Sequence, residues 1–215
     1  EDIMGLAYNT GGYVQASNCS PSRGVIMSGM YPHQSGVRGF YYVKPNQKTL
    51  PEILKDNGYF TAVINKTPDS SQSPNFDLYW DTRLGFKGGE KRSALAYNTM
   101  VSRFFDRMKN SRKPFFCVVN IADPHKPFFN DDASRKKGFD TFKPSKIYTS
   151  EDVEIPEFLP NKPKIKNEIV NKKNINTTSD DTLSVLSQRN LELITTSSIE
   201  LFTETQINAS IYPTS

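Results

Sequence analysis

The sequence lacks a long apolar run and a strong excess of charge, and each absence excludes a class of protein. Its mean hydropathy is −0.58, and it has no run approaching the roughly 20 consecutive apolar residues that a membrane-spanning helix needs. The net charge is only +4 over 215 residues, which slightly favours an anionic substrate but does not indicate nucleic-acid binding. We therefore expect no membrane span and no nucleic-acid partner.

Cysteine is scarce, and the signals of a targeting segment are missing. Cys19 and Cys117 can in principle pair, but Cys117 lies in the apolar run 115–119, so we interpret it as a buried thiol. The chain begins without a methionine or a charged-then-apolar leader, and we expect that its true N-terminus is missing. The 36% of hydrophobic residues suffice for a sizeable core in about one domain or one and a half.

The stretch 18–37 is the most informative part of the sequence. It predicts a helix with Ser20 as N-cap, a proline directly after the cap, and Gly29 at the end. Cys19 then lies just ahead of the first turn and Arg23 four residues further on, so both side chains can point at one spot beside the free N–H groups. That spot suits a tetrahedral oxyanion. The pattern C-x-P-x-R alone is equally compatible with a free cysteine at an ordinary helix.

Two pairs of a helix and a strand follow along the chain. Residues 49–58 predict a helix with a threonine cap and a terminal glycine, and 59–64 predict a strand. Apolar residues at helical spacing run through 93–108, and 115–121 is an almost wholly apolar run of strand length. Such a run is what a buried parallel strand needs. The sequence therefore predicts an α/β fold with a mainly parallel sheet sandwiched by helices.

Two polar residues follow these strands at the edge where parallel sheets carry their sites. Lys66 follows the first strand and His125 the second. On its own, a lysine of this kind is typical of the surface, and a histidine between two prolines is typical of a loop as much as of a ligand set. Their position makes both of them candidate site residues.

Three segments together resemble the type I, formylglycine-dependent sulfatases of the alkaline phosphatase superfamily. Residues 19–23, with the Y-P-H-x-x-G-V pattern at 31–37, resemble the signature C-[SAT]-P-S-R of that family. Residues 58–66 resemble its G-Y-x-T-x-x-x-G-K stretch, and 113–128 resemble its P-F-F stretch ending in P-H-x-P-[FY]. The form of the last segment is most similar to the heparan N-sulfatase (sulfamidase) and iduronate-sulfatase branches.

The resemblance implies a role for four residues. Cys19 would be converted by a maturation enzyme to formylglycine, the nucleophile and also a metal ligand. Arg23 would be its electrostatic partner, Lys66 would contact the sulfate, and His125 would contact the substrate and protonate the leaving group. The implied substrate is a sulfated carbohydrate, with an N- or O-sulfate of a glycosaminoglycan-like polymer as one possibility.

The resemblance also implies calcium as cofactor and an exported, periplasmic or lysosomal location, although no leader is present to show it. We expect 1–165 to be the N-terminal catalytic part of a sulfatase domain. We expect 166–215 to be a divergent or truncated continuation with no recognisable site, in which 198–202 has the composition of a pairing strand.

The sequence departs from the family pattern at the metal site and after the first strand. Calcium needs oxygen ligands, but the acidic pairs at 131–132 and 180–181 lie in positions typical of a loop and of a helix start. Asn65 stands where the pattern has glycine, and Pro68 or Asp69 where it has histidine. Two alternatives therefore remain: an inactive remnant that binds sulfated glycan, and a phosphonate or phosphodiester hydrolase of the same superfamily.

Overall fold

A computed structural model of the chain describes residues 15–16, 18–42, 44, 47–71, 74–123, 125–155, 157, 159–174, 177 and 199–202. The α-helices are α1 (Cys19–Ser28), α2 (Pro32–Ser35), α3 (Leu50–Asp56), α4 (Thr67–Ser71), α5 (Ala94–Met108) and α6 (Asp132–Lys136), and a further helix covers 163–174. The strands are β1 (Phe60–Ile64), β2 (Thr82–Leu84), β3 (Phe115–Asn120) and β4 (Ile199–Phe202). Short 3-10 helices occupy Phe76–Leu78, Gly88–Arg92, Phe139–Thr141 and Ser150–Asp152.

The described strands form one parallel sheet in the order β2-β1-β3-β4. In the central pair, Ile64 of β1 lies opposite Val119 of β3. Because these two strands are parallel neighbours, the loops that follow them leave from the same edge of the sheet. The predicted parallel α/β sheet is confirmed, and the segment predicted to pair as a strand forms β4 beside β3.

Helices cover both faces of the sheet, as the sequence predicted. One cluster joins α5 to one face of β1 and β3: Tyr97, Val101, Phe104, Phe105 and Met108 with Ala62, Ile64, Cys117 and Val119. The other cluster joins α1 and α3 to the opposite face: Met27, Leu50 and Leu54 with Val63, Phe116 and Val118. Since alternate residues of each strand point to opposite faces, both faces of the central strands are buried.

The predicted helices and strands lie within a residue or two of the observed ones. Thr49 and Ser93 occupy the N-cap positions of α3 and α5, and Gly58 follows α3 at φ 85°, a conformation that glycine adopts without cost. The strand β2 was not predicted, because its three residues, Thr82–Leu84, are too few to show a period. The described residues contain no helix with the length and apolar character of a membrane span.

Cys117 is the buried thiol that the sequence predicted. Its side chain is 2% exposed within β3, and burial raises the pKa of this thiol to about 12. No disulfide joins it to Cys19, and both residues lie in the described part of the chain.

Candidate active site

Helix α1 begins at Cys19, and its start differs from the predicted one. The prediction of Ser20 as N-cap is wrong, because Asn18 caps the helix: its side-chain Oδ1 accepts from the backbone N of Cys19 at 2.9 Å. Asparagine caps a helix as well as serine does, and Asn18 has the extended backbone that a cap requires. Cys19 is therefore the first helical residue, half-buried at the end where backbone N–H groups suit an anion. Gly29 ends α1 at φ 68°, as predicted.

Arg23 lies one turn along α1 and is buried, with 1% of its surface exposed. Its Nη1 donates a hydrogen bond to Oδ1 of Asn120, the last residue of β3. A buried guanidinium is tolerated only where polar partners match its donors. This contact joins the helix that carries Cys19 to the carboxyl edge of the sheet.

Asn120 connects three elements through one fully buried amide. While its Oδ1 accepts from Arg23, its Nδ2 donates to the backbone O of Asn65 at 2.9 Å and to Oγ of Ser70 at 3.1 Å. Asn65 directly follows β1, and Ser70 belongs to α4. The side chain of Asn120 therefore fixes the start of α1, the end of β1 and the helix α4 relative to one another.

Asn65 and Lys66 form a left-handed turn directly after β1. Their φ angles are 64° and 48°, in a region that is uncommon for residues other than glycine, although asparagine is the side chain that enters it most readily. Asparagine at position 65, where the family pattern has glycine, is therefore compatible with the positive φ of this turn. The two residues that follow Thr67, Pro68 and Asp69, lie in α4, so no histidine side chain extends from this turn.

Tyr97 of α5 completes the network at the strand ends. Its hydroxyl donates to the backbone O of Asn120 at 2.9 Å. The same hydroxyl accepts from the backbone N of Ala122 at 2.9 Å and from Nδ2 of Asn65 at 3.0 Å. Burial raises the pKa of Tyr97 well above its ordinary value, so the hydroxyl keeps its proton and can serve as both donor and acceptor. The loops after β1 and β3 thus share one phenol.

His125 lies in the loop that follows β3, with its side chain exposed. Its ring Nδ1 contacts the backbone O of Lys126. Beside it, Asp123 is 1% exposed and forms an ion pair with Arg92, which is 3% exposed, at 3.3 Å between Oδ1 and Nε. Nη2 of Arg92 also donates to the backbone O of His125 at 3.0 Å and to that of Pro127. The loop that carries His125 is therefore held by a buried charge pair.

Three cations gather around the ring of Phe139, next to this loop. Nζ of Lys91 lies 4.4 Å from the ring centroid, Cζ of Arg92 5.0 Å and Nζ of Lys137 6.0 Å. Burial lowers the pKa of Lys91, and the positive charges of Arg92, Lys137 and Lys66 lower it further. Lys91 and Lys137 therefore place positive charge beside this loop, which suits an anionic ligand.

The structure joins the segments of the predicted site residues through partners that the sequence analysis missed. Arg23 contacts Asn120, which bonds the residue before Lys66, and the loop of His125 starts directly after the strand that Asn120 ends. The sequence does contain a clue to the role of Asn120, since Asn120 is the polar residue inside the apolar run 115–121 and a buried amide needs partners. It contains no such clue for Arg92, because nothing in the neighbouring sequence indicates that this arginine is buried.

The carboxylates of the described residues do not provide a calcium site. No group of three or more His, Cys, Asp or Glu residues in that part of the chain is arranged to hold a metal ion. Asp131 caps α6 and accepts from the backbone N of Ser134 and Phe128, while Asp132 pairs with Arg135. The acidic pair at 180–181 lies outside the described residues. The described residues therefore do not fit the calcium that the resemblance implies.

Comparisons with known proteins agree with the sulfatase resemblance of the three sequence segments. The family model described as Sulfatase matches residues 5–188. Human N-sulphoglucosamine sulphohydrolase is 25% identical over 170 residues, which cover 70% of this chain and 33% of that protein. Human iduronate 2-sulfatase is 26% identical over 188 residues, with 69% and 33% covered. The chain spans about a third of the length of the curated relatives it matches.

A solved structure has the same fold as this chain. It is described as a complex with its substrate D-glucosamine-2-N,6-O-disulfate, and its TM-score is 0.56 at 16% sequence identity. The match covers 91% of this chain and 57% of that one. Because the family model covers well over half of the sequence, the chain belongs to the sulfatase family.

Proposed function

We propose that the chain is the nucleophile-bearing part of a formylglycine-dependent hydrolase, and that this hydrolase acts on sulfate esters or sulfamates of sulfated sugars. The observation that carries the proposal is the placement of Cys19 at the first position of α1, one turn from the buried Arg23. The same segment matches the family signature. The two human relatives, whose names specify a sulphoglucosamine and an iduronate sulfate, support a sulfated sugar as the substrate.

Formylglycine made from Cys19 supplies a hydrated aldehyde, whose one hydroxyl attacks sulfur and whose other hydroxyl allows sulfate to leave. The side chains of this chain provide the surrounding charge. Arg23, held by Asn120 in a buried environment, keeps a fixed positive charge near the developing negative charge of the sulfuryl oxygens, where it is worth more than in water. Lys66 adds a second cation from the turn after β1.

His125 is the group that protonates the departing oxygen or nitrogen in this proposal. Donation from its Nδ1 to the backbone O of Lys126 fixes the orientation of the ring and leaves Nε2 for the substrate. A general acid placed in this way contributes about 10²- to 10⁴-fold to rate. The roles proposed for Arg23, Lys66 and His125 come from the resemblance to the sulfatase family, and the charge and position of these residues support them.

A mass measurement tests the first step of the proposal. We expect the Cys19 peptide, from chain expressed together with a formylglycine-generating maturation enzyme, to lose about 18 mass units as CH2–SH becomes CHO. The Cys117→Val variant should show the same loss, because Cys117 is buried in the core. An unmodified Cys19, alongside a reference sulfatase that the same enzyme converts, would contradict the proposal.

Turnover assays separate the reaction classes. The matured protein should release sulfate from an N-sulfated or 2-O-sulfated disaccharide faster than it hydrolyses a phosphodiester or a phosphonate ester. Cys19→Ala should abolish the release, since no nucleophile can then be made. Faster turnover of the phosphorus esters would reassign the site to that class.

Binding of a sulfated glycan without turnover is a second candidate function. It is supported by Lys91 and Lys137 beside Phe139, whose positive charges suit a polyanion whether or not chemistry occurs. Binding of a heparin oligosaccharide that weakens as salt rises, with no sulfate released by protein that carries formylglycine, would favour this second function.

A further inference from the structure

We propose that Arg92 is a positioning residue for His125: it fixes the backbone of the loop so that the imidazole is held toward the leaving group. The proposal rests on the role of His125 as proton donor under the proposed function. Arg92 itself does not touch the substrate. It acts through the loop from Asp123 to Pro127.

Arg92 contacts this loop at three points. Its Nε pairs with Oδ1 of Asp123 at 3.3 Å. Its Nη2 donates to the backbone O of His125 at 3.0 Å and to the backbone O of Pro127. One planar guanidinium with donors in fixed directions therefore holds the beginning, the middle and the end of a five-residue loop.

The contacts transmit position from Arg92 to the imidazole ring. The backbone O of Lys126 lies between the two carbonyls that Arg92 holds, and this oxygen is the contact of Nδ1 of His125. Fixing the carbonyls of His125 and Pro127 therefore fixes the group that orients the ring. Because a displacement of about 1 Å is enough to impair proton transfer, a loosened loop should lower the rate even if His125 is unchanged.

Arg92 also has contacts outside the loop. Its guanidinium lies 5.0 Å from the centroid of Phe139. The 3-10 helix Gly88–Arg92 packs closely on the segment around Gly138, where a Cβ on Gly89 would lie 3.1 Å from the backbone O of Gly138. A side chain at Gly89 would require that backbone to move by a few tenths of an ångström. The arginine thus has little freedom to follow a moving loop, which is the property that positioning requires.

The two histidines of the chain, His33 and His125, allow a test that does not depend on activity. His33 lies in α2, and its ring stacks on that of Tyr31. In ¹H–¹³C spectra of the chain with labelled histidine, Arg92→Gln should shift and broaden the ring signals of His125. The ring signals of His33 should stay unchanged. Arg92→Lys, which keeps the charge but loses the fork, should give an intermediate change. The control Arg83→Gln should change neither histidine, because Arg83 pairs with Asp77 at the surface.

Turnover by the matured protein supplies the second readout. Protonation matters for a sugar leaving group and not for an activated aryl leaving group. Arg92→Gln should therefore lower kcat about 100-fold on a sulfated disaccharide and no more than about threefold on an activated aryl sulfate. A merely structural role would lower both rates by the same factor.

The outcomes are separable if a variant folds poorly. Arg92→Gln leaves the buried Asp123 without the guanidinium, so the double variant Arg92→Gln with Asp123→Asn removes both charges and should restore cooperative unfolding. It should still show the altered His125 signals, because the donors to the two carbonyls remain missing. Unaltered His125 signals in either folded variant would overturn the proposal. Absence of turnover in the unsubstituted protein would overturn the proposed function and leave the spectroscopic test of Arg92 standing.

Discussion

The two loops at the carboxyl edge of the sheet are held by different chemistry. After β1, neutral hydrogen bonds to Asn120 and Tyr97 fix the turn at Asn65 and Lys66. After β3, the buried ion pair of Arg92 with Asp123 fixes the loop of His125. Neutral hydrogen bonds contribute about 0.5–1.5 kcal/mol each, whereas breaking a buried ion pair costs about 3–5 kcal/mol. The first loop should therefore weaken in steps, and the second should fail with one substitution.

The largest expected effect is that of Arg92→Ala. The substitution removes the guanidinium from a carboxylate that is 1% exposed, so the free energy of unfolding should fall by about 3–5 kcal/mol in urea denaturation. Arg83→Ala removes a surface pair whose side chains are 40% and 80% exposed, and it should cost less than about 1 kcal/mol. Equal losses of unfolding free energy for the two variants would show that the buried ion pair stabilises the fold no more than the surface pair does.

Asn120→Ala should be next in size. Arg23 loses an acceptor, and the backbone O of Asn65 and Oγ of Ser70 lose a donor. The expected loss is roughly 2–4 kcal/mol by urea denaturation, since several buried groups give up a partner at once. The exposed Asn110 offers a matched control, and Asn110→Ala should be near neutral. A loss at position 120 as small as that of the control would contradict the network.

Tyr97→Phe should cost about 1–2 kcal/mol at neutral pH and should change the response to alkali. Because burial raises the pKa of Tyr97 above the unfolded value of about 10, its contribution is fully present below pH 10 and is lost as pH rises further. The difference in unfolding free energy between the unsubstituted chain and Tyr97→Phe should therefore stay constant from pH 8 to about pH 9.5 and shrink above about pH 10. A difference that is the same at about pH 11 as at pH 8 would be inconsistent with a raised pKa.

The smallest effect is expected at Asn65, where glycine and alanine variants separate the cost of backbone strain from the cost of losing the side-chain hydrogen bonds. Asn65→Gly loses the amide bonds but suits φ 64°, so its stability should stay within about 1 kcal/mol of the original. Asn65→Ala loses the same bonds and is strained, so it should be about 1 kcal/mol less stable than the glycine variant. At Asn57, where φ is −95°, the alanine variant should be no worse than the glycine variant. Thermal unfolding of the four variants makes the comparison.

The fold was largely predictable because its main elements depend on local patterns. The apolar spacing of α5, the cap at Thr49 and the apolar run of β3 are each visible within about ten residues. The start of α1 was not predictable in the same way, because Asn18 and Ser20 are both good caps and the packing of the helix decides between them. The three-residue strand β2 carries no period and depends on its pairing with β1.

The candidate site was predictable only where the residues themselves are distinctive. Cys19, Arg23, Lys66 and His125 stand in segments that resemble a family, and their proposed roles remain predictions. The residues that hold them do not stand in such segments. Arg92 and His125 are 33 positions apart in the chain, and no local pattern connects an arginine before one helix to a carbonyl after a later strand.

The contact between Arg23 and Asn120 also implies a delay between the synthesis of the Cys19 segment and its final folding. Its two residues are 97 positions apart, so a ribosome that adds about 5–20 residues per second needs about 5–20 s to deliver the partner of Arg23. Over that interval the segment around Cys19 cannot adopt its final buried arrangement. Under the proposed function, the enzyme that converts Cys19 would therefore have seconds in which this segment is still an open chain, and faster translation would shorten that time.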